Sequence, residues 1–443
     1  QTHQQPYAHD SRGLGDVYKR QRYLLIYKRE IMSLILPFKA LRPSIDKASD
    51  VIAPPYDVLD SSEAREMAKD KPYSFLHISK PEIDLEEEIN FNDESVYKKG
   101  AENLKNFIED GILYQDKKEC LYLYEITLDN KTQTGFGCIA SIEAYNKNII
   151  KKHEFTTPIK EDDRVLNIKE LEAQTGPVLL AYKQNSFMKK VLEENKKGDP
   201  IYSVIGPDSS EHKIWPIENE LEINKIVSEV NSMGTLYIAD GHHRSAAASR
   251  VSQEINESGT NNSKSHNFFL SVAFPHSEMN ILDYNRIISG LNNYTSDELL
   301  NEINKNFTIN NMSSSCKPVQ NNEFGMFLDN AWYKLNLKES IAIKDDPVTS
   351  LDVSILHDLI ISPLLGIEDE RRDKRINFVG GARGVEELEK RVKYDKYDIA
   401  FSLFPTPIEA LFKVADADKV MPPKSTWFEP KLLDGLLSHK IND

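Results

Sequence analysis

The feature that most constrains this chain is an apolar run, Thr235 to Ala239, that passes without a break into Asp240-Gly241-His242-His243-Arg244. Three consecutive alanines, Ala246 to Ala248, and Val251 follow. An apolar run, a glycine and then good helix formers read as a buried strand, a tight turn and a helix from about Ser245. A strand handed straight to a helix needs a sheet on which both can pack, which places the chain among α/β folds. The same geometry leaves backbone N–H groups free at the helix start, where the helix dipole adds partial positive charge.

Other segments fill in the sheet. Residues 119–128 and 135–145 alternate like strands around a turn at Asp129-Asn130-Lys131, a hairpin pattern that predicts mixed rather than purely parallel sheets. Strands are also expected at 177–182, 268–274 and 398–404, with helices over 61–70, 93–110, 163–174 and 407–414. In the helix over 93–110, Val96, Leu104, Phe107 and Ile108 share one face, and Gly111 marks the stop. Ser61 and Ser62 are candidate caps for the helix over 61–70. Residues 256–266 and 310–322 read as polar surface loops. The composition shifts near residue 290, giving a first region over 32–288 and a C-terminal α/β region over 289–443. Residues 1–31 are expected to be a non-native leader: the string at 16–21, DVYKRQ, resembles translated adaptor sequence, and Met32 reads as the natural start.

Charge and cysteine usage narrow the function. Lys plus Arg total 55 against 70 Asp plus Glu, a net charge of −15, which argues against a broad nucleic-acid surface but leaves room for a small basic pocket. Cys120, Cys138 and Cys316 lie far apart with no CxxC pair, so neither a disulfide framework nor a zinc knuckle is expected, in keeping with a reducing cytoplasm. No apolar run approaches the roughly 20 residues that span a bilayer. A cytoplasmic protein with no nucleic-acid or membrane partner is the expectation.

Several polar blocks can carry chemistry. In Asp240 to Arg244, Gly241 permits close backbone approach, and His242, His243 and Arg244 bring donors to one place, a pattern suited to a phosphate clamp. Asp240 either holds a divalent ion, accepts a proton or caps the helix. Adjacent histidines point apart, and no HxxxH or HExxH spacing accompanies them, so a dedicated transition-metal site is not expected. Lys151-Lys152-His153-Glu154, with Thr156 and Arg164, offers cations for phosphate and Glu154 as a base, or else a solvated charged turn. Pro422 to Lys431 frames Lys424, Ser425 and Thr426 between prolines, either as an anion-binding loop or as a rigid surface loop packing Trp427 and Phe428. Asp57, in the turn Ala53-Pro54-Pro55-Tyr56-Asp57, either supports the site or caps a turn. Gly380 to Gly384 lacks the full GxGxxG pattern and reads as a plain strand-to-helix turn.

Taken in order, A-P-P-Y-D at 53–57, K-H-E at 152–154 with Asp163-Arg164, A-D-G-H-H-R at 239–244, Y-N-R at 284–286 and P-P-K-S-T-W-F-E-P-K at 422–431 resemble domain-of-unknown-function family 1015. The D-G-H-H-R element is further similar to the phosphate-binding element of the ParB and sulfiredoxin superfamily, and closest in form to its free serine kinases. Members of family 1015 are often encoded beside serine-biosynthesis enzymes, an association without physical content. The resemblance implies a ParB/sulfiredoxin-like core and phosphoryl transfer between ATP or ADP and a small hydroxylated metabolite, possibly L-serine, with Mg2+ at Asp240. Gly241, His242 and Arg244 would bind phosphates, with Lys152, Arg164, Lys424, Ser425 and Thr426. Glu154, Asp240 and His243 would be catalytic, and Asp57, Asn285 and Arg286 would contact substrate. A phosphatase of phosphoserine-like esters and a non-enzymatic nucleotide switch stand as alternatives. Sulfiredoxin-type reduction is disfavoured, since no cysteine sits in the Asp240–Arg244 turn to supply a thiolate.

Overall fold

A type I′ turn sets the first hairpin: Asp129 and Asn130 both take positive φ, +49° and +63°, the hand that matches the twist of paired strands. The computed structural model describes residues 33–259 and 263–442; the expected leader over 1–31 lies outside them. The turn joins two strands of a nine-stranded mixed sheet. Its strands are β1 (Ile35–Leu36), β2 (Leu121–Leu128), β3 (Lys131–Ser141), β4 (Ile150–Lys151), β5 (Val178–Tyr182), β6 (Tyr202–Ile205), β7 (Glu211–Ile217), β8 (Leu236–Asp240) and β9 (Phe268–Pro275). Their order is β4-β8-β5-β9-β3-β2-β7-β6, with β1 on β3. The β4–β8 and β5–β9 pairs are parallel and the rest antiparallel.

The sheet is covered on both faces, and residue alternation along β8 shows it. Leu236 and Ile238 point to one cluster with the helices Pro158–Leu171, Glu220–Met233 and His242–Ser258, while Tyr237 and Ala239 point to the other. On that second side Tyr237 stacks on Phe412, ring centroids 4.0 Å apart. A second, six-stranded sheet follows: β10 (Tyr284–Ile288), β11 (Phe307–Met312), β12 (Glu323–Leu328), β13 (Ala331–Leu337), β14 (Ile376–Gly380) and β15 (Ile399–Ser402), ordered β11-β13-β12-β15-β10-β14 and wholly antiparallel. The chain is therefore a mixed α/β protein. Its last residues turn back: Trp427–Glu429 pairs with Asn280–Leu282, Asp434 bridges to Ala53, and His439–Lys440 pairs with Ala173–Gln174.

Several local expectations shift. The helix over 61–68 is capped by Asp60 in a capping box with Glu63, not by Ser61 or Ser62. In helix Glu94–Glu109 Ile108 is exposed, on the edge of the stripe that buries Val96, Leu104 and Phe107. The helix expected at 163–174 begins five residues earlier, with Pro158 in its first turn, where a missing N–H costs nothing. The polar stretch from Asn256 continues helix as far as Ser258, and residues 310–312, expected as loop, complete the strand Phe307–Met312. Polar composition marked both as loops; tertiary pairing overrode it.

The centre of the large sheet is tight. β9 is buried along its whole length, and a Cβ added at Gly135 of β3 would collide with the Ala273 carbonyl and the Phe274 ring. A Gly135→Ala substitution should therefore cost about 1–3 kcal/mol by overpacking, read as a lowered urea midpoint with an unchanged slope.

Candidate phosphate site

Residues converge here because two strand ends lie side by side. β4 pairs parallel with β8, Ile150 opposite Leu236 and Lys151 opposite Tyr237, so Lys152, His153 and Glu154 leave the sheet beside Asp240, Gly241 and His242. Gly241 takes φ +96°, in the region that favours glycine. The helix α1 (His242–Ser258) then starts three residues before the expected Ser245, which puts His242, His243 and Arg244 in its first turn. No described side chain caps that end, so its leading N–H groups face outward. The third block is tied to the same place by the Met421 N–H, which donates to the His153 carbonyl at 2.8 Å.

The side chains divide into two groups. Around the helix start stand Glu154, Asp240, His243, Lys424 and Lys431. The Glu154 carboxylate lies 3.8 Å from His242 Nδ1. The Thr157 N–H donates to His243 Nε2 at 3.1 Å. Lys431 Nζ is 3.8 Å and Arg244 Nη2 3.1 Å from Asp240 Oδ2. Burial would raise the Asp240 pKa, but Lys431, then Arg244, His242 and Lys424, outweigh it and hold the carboxyl below its usual range. Burial opposes the charge on Lys424, yet Tyr284, Glu154, Asp57 and Asp240 together raise its pKa. Asp57 is exposed, within electrostatic reach of both His243 and Lys424. Burial drives His242 down to about 4 and His153 to about 3, so both imidazoles are neutral near pH 7.

Behind this cluster lies a recess of roughly 400 Å3, open solvent at its mouth included, lined among others by Tyr56, Arg164, Gly176, Arg244 and Asp434. Arg244 points into it: its guanidinium donates to the Pro177 carbonyl and to Asp240. Arg164 pairs with Asp163 at 2.8 Å and lies 3.8 Å over the Tyr56 ring. Burial pushes Asp434 up to about 7, against the pull of Arg244.

Other expected site residues serve elsewhere. Asn285 and Arg286 do not reach the cluster; both are fully buried. Asn285 donates to Asp283 and accepts from the Leu403 N–H. Arg286 donates to the Pro423 and Lys424 carbonyls and sits 3.5 Å from Glu370, so it holds the lysine loop rather than a ligand. The Ser425 hydroxyl donates to the Pro422 carbonyl inside the turn; Thr426 is half-buried in the same loop. Lys152 Nζ turns to the Tyr145 carbonyl and ring. Three residues were not singled out from sequence. His153 and Lys431 lie inside blocks already noticed. Asp434 is a lone carboxylate in the apolar run Leu432 to Leu437, a signal that was legible.

A mixed α/β scaffold carries here a strand, a glycine and an uncapped helix start with lysines and carboxylates nearby, an arrangement chemically suited to an anion. The chain belongs to the family described as Protein of unknown function (DUF1015), matched over residues 35–354. No curated protein matches it. Among solved structures, it is similar to a conserved hypothetical protein from Pyrococcus furiosus, with 12% identity and TM-score 0.33 over 68% of this chain and 94% of that one. A free serine kinase in complex with AMP aligns with 11% identity and TM-score 0.32 over 67% and 90%. C-terminally truncated SbnI from Staphylococcus aureus aligns with 10% identity and TM-score 0.35 over 67% and 85%. No helix among the described residues is long and apolar enough to cross a membrane.

Asp434 supplies a test of the recess. With a folded pKa near 7, its contribution is full below its unfolded pKa of about 3.9 and is lost as pH rises towards 7. Asp434→Asn should therefore gain stability relative to the native chain by roughly 1 kcal/mol per pH unit between pH 4 and 7, seen in urea midpoints taken across that range.

Proposed function

We propose that this protein transfers a phosphoryl group between a nucleotide, ATP or ADP, and the hydroxyl of a small metabolite, with free L-serine the first acceptor to test. The observation that carries this reading is the uncapped start of α1, with Lys431 beside Asp240, Glu154 beside His242 and Lys424 within electrostatic reach of both carboxylates. The N–H groups following Gly241 and the two lysines suit the charge of transferring phosphates. Serine rests on the D-G-H-H-R resemblance alone.

In this reading residues 32–288 bind the phosphates, and the region over 289–443 completes the site through its lysine loop. Glu154 takes the acceptor's hydroxyl proton as that oxygen bonds to phosphorus and the bridging P–O bond to the departing nucleotide breaks. His243 and Asp57 border the acceptor. Arg164 and Arg244 contribute charge from the recess behind, not direct contacts. Mg2+ fits Asp240 poorly, since Lys431 and Arg244 already neutralise that carboxylate; Asp57 and Glu154 are the carboxylates left to meet a magnesium ion carried in on the phosphates. Such an ion would neutralise phosphate charge.

The test is phosphorus NMR with Mg2+, offering ATP or ADP with L-serine, and O-phosphoserine alone. New phosphoserine is expected, and Glu154→Gln should slow its formation about 10²–10⁴-fold, with Lys424→Ala also well below the native rate. Phosphate released from phosphoserine alone would make the protein a phosphatase. Nucleotide binding without any turnover would make it a switch, and either result overturns the transferase reading.

A further inference from the structure

Among the described residues His153 stands out as a buried side chain with both polar atoms unpartnered. It is 2% exposed, and neither ring nitrogen has a hydrogen-bond partner of good geometry; contact with the Ile238 backbone pulls its pKa up, against burial. An unpaired buried polar group costs about 1–3 kcal/mol, so such a group calls for an explanation. The ring also does not simply fill space. It meets His242 edge to face, centroids 4.5 Å apart and planes at 88°, while the Glu154 carboxylate stands 3.8 Å from His242 Nδ1. One nitrogen from each imidazole and one Glu154 oxygen all lie within 4.8 Å of one another.

We propose that His153, His242 and Glu154 form a binding site for a divalent transition-metal ion. Ligands about 2.0–2.1 Å from a tetrahedral ion lie a little over 3 Å apart, so side-chain shifts of about an ångström or two complete the triad. The ligands are set on rigid supports: His153 and Glu154 follow β4, His242 opens α1 beside β8, and the two strands are hydrogen-bonded in register. Binding would give the orphaned ring of His153 its missing partner. The carboxylate is about one-third exposed, at 35%, so the outer side stays open to water or a substrate oxygen, as in two-histidine-one-carboxylate centres.

Charge and donor type choose the ion. Arg244, Lys152 and Lys424 act on the site from nearby, opposed by Asp240 and Asp57. Two imidazoles suit zinc, iron or cobalt, whereas magnesium prefers oxygen donors and retains its waters. His243 takes no part, because its ring is turned to Thr157. The site stands independently of phosphoryl transfer, since the ion would bind whether or not anything turns over. The two are compatible: one Glu154 oxygen ligates, and the other remains for a proton.

The test uses the full chain, stripped with chelator and titrated with Co2+ alone, then with Zn2+. One Co2+ per chain should bind, with the visible absorption of a low-coordinate site that one equivalent of Zn2+ abolishes. His153→Asn and His242→Asn should each weaken binding at least about 100-fold, beyond the 10–100-fold typical of losing an outer-shell partner. His77→Ala, at a histidine outside the triad that is paired with Asp84, should leave the affinity unchanged. Should an asparagine variant fail to fold, paramagnetic broadening in the native chain reads the ligands directly: the ring signals of His153 and His242 should vanish first on adding Co2+. Native-like affinity in folded His153→Asn, or broadening centred on other histidines, or none, overturns the proposal. Loss of kinase activity enters none of these readouts, so this idea and the transferase reading fail separately.

Discussion

Everything at the site depends on one short parallel pairing, that of Ile150–Lys151 with Leu236–Tyr237. Two residues on each side suffice because neighbouring strands run only about 4.8 Å apart, so the segments leaving them cannot diverge before they have brought Glu154 to His242. The pairing sits at the edge of the nine-stranded sheet. Among the described residues no further strand lies beyond it, and the groups at the strand ends open towards the lysine loop instead. The left-handed backbone at Gly241 then turns the chain at once into helix, which leaves its leading N–H groups at the same opening.

The lysine loop is held by charges that do not themselves meet solvent. Arg286 is fully buried and grips the Pro423 and Lys424 carbonyls from below, with Glu370 as its counter-ion. Removing one member of such a pair strands the other, which is why buried ion pairs of this type position groups rather than simply add stability. Arg244 plays a similar part on the other side, fastening Asp240 to the Pro177 turn. The guanidiniums of Arg244 and Arg286 are thus held by backbone and carboxylate partners, and the half-buried lysines and the helix N–H groups are left nearest the opening.

Much of this was legible beforehand. The strand, glycine and helix around Asp240 are set by local chemistry, and so is the hairpin at Asp129 and Asn130. The three polar blocks were visible as unusual residues in apolar surroundings. Roles were harder to read. Asn285 and Arg286 carry the polar groups that contact substrates elsewhere, yet alternation along β10 does not say which polar side chains have partners from residues 370 or 423. His153 is visible within its polar block, but ligand spacing along one element cannot pair it with His242, which is 89 residues away.

By itself the sequence determined the class of fold, the turn at Gly241 and the residue types available for chemistry, because strand alternation, helix propensity and positive-φ glycine act over a few residues. Which of those residues meet was decided only by tertiary structure. The return of the C-terminal segment to Ala53 and His153, the burial that silences Arg244 and Arg286, and the joining of His153 to His242 are all long-range pairings. Their free energies come from burial and from charges shared between distant segments, and no local window of sequence contains both partners.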